Sequence, residues 1–600
     1  MHALPIMVAT LCTLAIAYRF YSAFIAARVL VLDDTRATPA HRLADGKDFV
    51  ATNKWVLFGH HFAAITGAGP LIGPVLAVQF GFLPGLLWIL VGVTLGGAVH
   101  DFVILASSVR ANGKSLAELA RAEIGPIAGA IAAIAIFFTV IIAIAAMGFA
   151  VVNILAESAW ATFTIGMTIP IALVMGGAMR AKGQGGGHGA IRNATILGVM
   201  ALFLAVWGGR GVAASTLGAY LKLTPHTLIY AICIYGFLAS VLPVWLLLVP
   251  RDYLSAYMKL GTLAVLVVGI MVVNPQLKMD AVSEFVHGKG PIIPGKVFPF
   301  VFITIACGAI SGFHSLIASG TTPKMLDKER DARFIGYGAM LVEGLVGVTS
   351  LIAAASLYKA DYFAINVSPA KFAHLGMTTV DLDSMMLAIG EDLRGRTAGS
   401  VSLAVGIAKI FSGLPGMKTL LAYWYHFIVM FEAVFILTTV DAGTRVARFL
   451  AQETLGRFDA RFLRHDWQPG TFIASALVVV AWGAFLRTGS ISTLWPMLGI
   501  ANQLLATTAL CVGTTVIVNA GRARYAWVTL IPLSFVATTT LTAAYLSTVN
   551  IFLKLHSFQG WLDAVVSIVL MACTVAVLVA SARRWIAVGS GRAAAAARAA

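Results

Sequence analysis

Residues 59–74 read GHHFAAITGAGPLIGP. The stretch lies inside a long apolar segment, yet it opens on paired histidines, His60 and His61, and continues through Gly67, Gly69, Pro70, Gly73 and Pro74. Glycine and proline free backbone N–H and C=O groups that an unbroken helix would use internally. Inside a bilayer each unsatisfied group is costly, so such a break persists only where a ligand, water or a neighbouring helix fills it.

Composition supplies the bilayer. Of 600 residues, 59% are hydrophobic and 11% charged, with a mean hydropathy of +0.89; soluble proteins carry about 25% charged residues. Apolar runs of about 20 residues recur, long enough to cross a ~30 Å hydrocarbon core at ~1.5 Å per residue. Sixteen such segments lie between residues 4 and 582. The fold expected is an all-α polytopic membrane protein, because a β-barrel would show short alternating segments instead. Residues 1–31 read as a first transmembrane helix and not a removed signal, since no basic region precedes the apolar run. Two helical repeat regions, 55–274 and 296–547, follow. A last helix at 561–582 and a basic, Ala-rich tail at 583–600 complete the order.

The net charge is +16. Lys and Arg sit mostly in connecting loops, which points to topology and anionic lipid and away from nucleic acid. The five cysteines are odd in number and widely spaced in apolar segments; neither a disulfide framework nor a metal or cofactor site is expected. The run KGQGGGHG at 182–189 lacks a P-loop lysine-serine pair and reads as a flexible loop.

Positive charge orients the segments. Walking forward with the N-terminus outside, loops 31–54, 108–126, 180–192, 250–258 and 321–334 fall inside, each with Lys or Arg. Walking back from the basic tail puts 441–470 inside as well. The two walks disagree by one crossing, and 399–416, which carries Lys409 and ends SGLPGMK, is the segment expected not to span. About fifteen crossings result.

A second stretch matches the first. Residues 307–323, CGAISGFHSLIASGTTP, also interrupt an apolar segment with closely spaced glycines, hydroxyls, a histidine and a closing proline. The charge pattern runs the two segments in opposite directions. Two such breaks signal inverted repeats around a midplane site, and the alternative for either alone is close helix packing. A half-helix N-terminus offers free N–H groups to a carboxylate. The substrate candidates are therefore Thr66, Gly67 and Gly69 at the first break and Ser311, Gly312, His314 and Ser315 at the second. Some of these hydroxyls will bond their own helix.

Titratable residues in apolar surroundings mark proton pathways. His60 and His61 point about 100° apart on a helix, so one faces a pathway while the other bonds a neighbour. Asp101, next to His100, is expected toward the inner boundary because Arg110 and Lys114 follow; it is an interfacial cap or ion pair, or a proton or cation site. Glu343, within AMLVEGLVGVTS, is the leading proton carrier, with Lys409 as its partner or a carboxylate anchor. Glu157, His426, Glu432, Arg487, Asn502 and Gln503 receive no role.

NKWVLFGHHFAAITGAGPLIGP (53–74), GGAVHDF (96–102), CGAISGFHSLIASGTTPK (307–324) and GYGAMLVEGLVG (336–347) together resemble the carbon starvation protein CstA family over most of the chain. The resemblance implies an inner-membrane secondary transporter, distantly similar to the amino acid–polyamine–organocation superfamily with its LeuT-like inverted repeat. It also implies peptide uptake in carbon starvation, or pyruvate uptake with protons. The expected function is proton-coupled import of a small carboxylate, pyruvate first, with short peptides as the rival substrate. A channel or sensor is the rival class. No HExxH, GxSxG or paired-aspartate motif supports an enzyme.

Overall fold

The structure is a computed structural model that describes residues 1–45, 49–180, 188–242, 248–456, 458–464, 467–489 and 491–590. Most of the Gly-rich run at 182–189 and the tail beyond residue 590 lie outside the described residues. Among the described residues the chain is helical, with two isolated β-bridges, His2 with Gln276 and Thr52 with Leu326.

Among the described residues, twelve helices are long and apolar enough to cross a membrane, or thirteen if the bent pair α1 (Lys54–Ile65) and α2 (Gly69–Phe80) counts as one span. Two shorter apolar helices, Pro225–Val241 and Ser400–Ser412, stand beside them. A second interrupted segment consists of Val297–Thr304 and Gly312–Gly320. Each of the sixteen apolar segments thus has its helix or helix pair. Ser400–Ser412, the segment expected not to span, has 13 residues. At ~1.5 Å per residue it is about 20 Å long, short of a ~30 Å core.

The helices that build the centre are α1 and α2, α3 (Phe82–Arg110), α4 (Pro126–Leu155), α5 (Leu248–Val273), α6 (Val297–Thr304), α7 (Gly312–Gly320), α8 (Arg333–Ala355), α9 (Ser400–Ser412), α10 (Lys418–Leu455) and α11 (Ile491–Asn519). Two of the loops used for orientation are not loops. Residues 250–258 belong to α5, and α10 runs on through residues 441–455. Arg251 instead forms an interior pair, Nη1 to Asp441 Oδ2 at 3.1 Å, with both side chains 1% exposed. Tyr235 donates its hydroxyl to the same Oδ2 at 2.6 Å. A buried charge with its partner on another helix has the same local sequence as a loop charge, so the positive-charge count included residues that never face water.

Both breaks are real. α1 ends where Thr66 turns to extended geometry, and α2 restarts at Gly69-Pro70, bent by 48°. Proline at the start of a helix loses no hydrogen bond, so the Gly-Pro pair ends one helix and opens the next. The second break covers residues 305–311, with Ser311 extended at φ −129°, ψ 123°. The two breaks meet. A methyl on Gly69 would lie 2.3 Å from Cys307 Cβ, and one on Gly73 would lie 2.4 Å from the Thr304 carbonyl oxygen. Gly69→Ala is therefore expected to force the crossing apart, with an overpacking cost of about 1–3 kcal/mol. Differential scanning of the purified variant should show a lowered Tm; an unchanged Tm would mean that Cys307 yields without cost.

Candidate functional site

Around the crossing the sequence places four titratable side chains on three helices. α3 carries His100 and Asp101, one helical turn beyond a wide π-type turn at Val93–Gly97. Such turns leave a carbonyl without its usual partner; here Tyr337 donates its hydroxyl to Thr94 O at 2.8 Å. α7 carries His314 and α8 carries Glu343. Asp101 Oδ1 lies 2.7 Å from His100 Nδ1, and its Oδ2 lies 2.9 Å from His314 Nδ1. The other nitrogen of His314, Nε2, is 3.1 Å from Glu343 Oε2, at ion-pair distance though off the line of a hydrogen bond. All four side chains are fully buried.

This chain corrects the placement of Asp101. It is not an exposed cap but fully buried within the protein, bridging two imidazoles. It also removes Lys409 as the partner of Glu343. The Lys409 ammonium pairs with Asp381 Oδ2 at 2.8 Å, and both are partly exposed.

The charge balance is the chemically telling feature. An imidazole with a carboxylate on each nitrogen is best served as the doubly protonated cation, which donates from both nitrogens. Two carboxylates and one imidazolium leave one net negative charge among these three buried groups, and the buried Lys259 ammonium on α5 acts on Glu343 from outside them. A proton gained or lost at Glu343 shifts that balance by one charge. Buried charges without full compensation are costly, so the cluster is a place where a proton is worth binding.

The paired histidines part company. His60 lines a cavity of about 170 Å³ with Trp55, Ala63, Tyr257, Thr438 and Thr439, between α1, α5 and α10. Its mouth lies at Trp55 and Tyr257, which are 65% and 53% exposed. His61 is buried, with Nδ1 2.7 Å from Thr322 Oγ1. Thr439, in the lining of this cavity, also lies against the first break: a methyl on Gly67 would lie 3.0 Å from Thr439 Oγ1 and 3.1 Å from Met147 Cε.

The donors of the two half-helices differ. At the second break Asn502 Oδ1 accepts from the Phe313 N–H at 2.9 Å, while Asn502 Nδ2 donates to Ser311 Oγ at 3.0 Å. Ser315 Oγ donates to Gly312 O at 2.5 Å, within its own helix. Gly312 is pressed on α11, where a methyl would lie 2.3 Å from Asn502 O. Asn502 thus takes the Phe313 N–H, one of the donors at the start of α7 near which the carboxylate contact at Ser311 and Ser315 is expected. At the first break Leu71 and Ile72 both donate to Ala68 O, and Gly67 donates to Ile65 O. Pro70 has no N–H. The Ala68 and Gly69 N–H groups are the donors there without a backbone acceptor among the described residues. Thr66 Oγ1 is buried beside it without a hydrogen-bond partner.

Sequence reasoning missed Asn502, Thr439 and Lys259. Lys259 on α5 is 1% exposed and donates to Ala63 O at 2.8 Å and to Thr66 O at 2.6 Å. Its signal was available in the run SAYMKLGTLAVLVVGI, where Lys259 stands a few residues inside an apolar helix. It was absorbed into the neighbouring loop charge. Asn502 had no local signal, because its partner is 189 residues away.

Comparison with known proteins agrees with this architecture. The family model described as "Carbon starvation protein CstA" matches residues 2–543. The peptide transporter CstA of Bacillus subtilis (strain 168) is 47% identical over 588 residues, covering 98% of this chain and 97% of the relative. The protein of the same name from Escherichia coli (strain K12) is 47% identical over 91% of this chain and 81% of its own length. The pyruvate/proton symporter BtsT of Escherichia coli (strain K12) is 43% identical over 88% of this chain and 79% of its own length.

Proposed function

The chain belongs to the carbon starvation protein CstA family and is a multi-pass membrane transporter, and on that premise we propose that it imports a small carboxylate, pyruvate first, together with protons. The observation that carries this reading is the buried chain His100–Asp101–His314–Glu343, four titratable groups in contact on the helices that pack around the crossed breaks. The substrate carboxylate is placed at the first break, on the Ala68 and Gly69 N–H groups, with the Thr66 and Thr439 hydroxyls beside them. The cavity at His60 is the route to that point. Among the described residues, six apolar helices of 17 residues or more lie between the two broken segments. If each crosses once, the breaks run in opposite directions, as alternating access around a central site requires.

Peptide uptake is the second reading, favoured by the printed names of the relatives from B. subtilis and E. coli. A peptide brings an amine as well as a carboxylate, and Asp101 or Glu343 would hold it. Uptake of labelled pyruvate, lactate, alanine and dipeptides into proteoliposomes, under separate proton and sodium gradients, tests both. The expected result is pyruvate accumulation under a proton gradient, with little competition from di- and tripeptides. Strong competition by peptides, or accumulation of a dipeptide with none of pyruvate, would replace the first reading by the second. No uphill movement of any of the four would favour a channel.

A further inference from the structure

We propose that Lys259 is a tethered cation that fills, at the first helix break, the position a dissociable metal ion would take, so that this carrier needs no sodium there. The argument begins with which carbonyls the break orphans. In a continuous helix Ala63 O would accept from the Gly67 N–H, and Thr66 O from residue 70. Gly67 donates instead to Ile65 O at 3.0 Å, and residue 70 is proline, which has nothing to donate. The sequence TGAGP therefore leaves the carbonyls of Ala63 and Thr66 without helical partners. Lys259 takes those same two, at 2.8 Å and 2.6 Å.

The surroundings are those of a cation site. Two convergent carbonyl oxygens from an unwound segment are the donors that transporter folds offer to sodium. Hydroxyl oxygens complete such sites for hard cations. Thr66 Oγ1 is buried at the break without a hydrogen-bond partner, and Thr439 Oγ1 touches the backbone at Gly67. The face of the Phe435 ring lies 4.1 Å from the Lys259 Nζ, which adds the attraction of its electron cloud for a positive charge. A lysine here costs desolvation that its partners must offset, and a neutral hydrogen-bond donor would satisfy two carbonyls at lower cost. The charge is what the site selects for. Lys259 hangs on α5 whereas the carbonyls belong to α1, so the tie also links the two helices that flank the cavity.

The inference stands on the geometry of the break and holds for any substrate, so its test uses none. Purified wild-type protein and the variants Lys259→Ala and Lys259→Gln are melted in detergent in sodium chloride and in choline chloride at matched ionic strength. The wild type is expected to show the same Tm in both salts. Lys259→Ala vacates the carbonyls, lowers the Tm by several degrees in choline, and regains part of it in a saturable sodium titration, as a bound ligand does. Lys259→Gln keeps donors without charge and serves if the alanine variant does not fold; a variant that is folded only when purified in sodium counts as a response. Sodium-dependent stabilisation of the wild type, or folded variants of which none responds to sodium, overturns the proposal. Failure to transport pyruvate would leave this result untouched.

Discussion

Glu343→Gln is expected to abolish accumulation of substrate driven by a proton gradient, by at least about tenfold, while substrate-for-substrate exchange remains measurable. Glutamine has the size of glutamate and still presents an oxygen toward His314 Nε2, 3.1 Å from the carboxylate in the wild type. What it lacks is the capacity to gain and lose a proton. Position 343 then carries no charge at any stage of the cycle, beside a Lys259 ammonium that is present throughout. A carrier whose central charge no longer changes has no reason to bind a proton in one orientation and release it in the other, so the proton gradient has nothing to act on. Binding at Gly69 and reorientation need no charge change at Glu343, and exchange therefore survives. The measurement is uptake into proteoliposomes with and without an imposed pH difference, alongside counterflow with preloaded substrate. Undiminished proton-driven accumulation in the variant removes Glu343 from the coupling mechanism.

His314→Leu is expected to produce the largest loss of stability, about 3–5 kcal/mol, the usual result of removing one partner from a buried ion pair. The cause is what stays behind. Asp101 keeps His100 at 2.7 Å, but Glu343 loses the one ion-pair partner the structure gives it and remains fully buried. Neutralising the orphaned group should recover part of the loss. The double variant His314→Leu with Glu343→Gln is thus expected to be more stable than His314→Leu alone, a sign of coupling that independent sites do not show. Chemical or thermal denaturation of the two variants decides the matter. A double variant less stable than His314→Leu by the full cost of Glu343→Gln would show that the two residues do not interact.

The helical segments were legible because lipid imposes its own length and polarity on a chain, and an apolar run of about 20 residues has few other uses. The breaks were legible for a related reason. Glycine and proline at 67–74 and glycine at 308 and 312 are local facts that need no partner to be read. The offset of His60 from His61 follows from helix geometry alone, and the two side chains do point into different surroundings. Pairings were another matter. Nothing near Asp101 in the sequence says that His314, 213 residues away, reaches its second oxygen. Lys409 and Lys259 look alike as single lysines at the edges of apolar segments, yet one reaches an exposed aspartate and the other the backbone of the first break. Nothing local says that Asn502, given no role in the sequence, takes the Phe313 N–H at the start of α7.

The contact between the two breaks has a mechanical consequence. Backbone and side chain meet at Gly69 and Cys307 with no clearance even for one methyl group. Surfaces that close cannot slide across each other, but they can rotate about the point of touch. The junction is then a fulcrum, and displacement grows with distance along each lever arm. Atoms at the crossing hold still while the far ends of α1 and α7 sweep through the greatest arc. Substitutions at those rims should alter how fast the carrier turns over, and substitutions at the fulcrum should alter whether it turns at all.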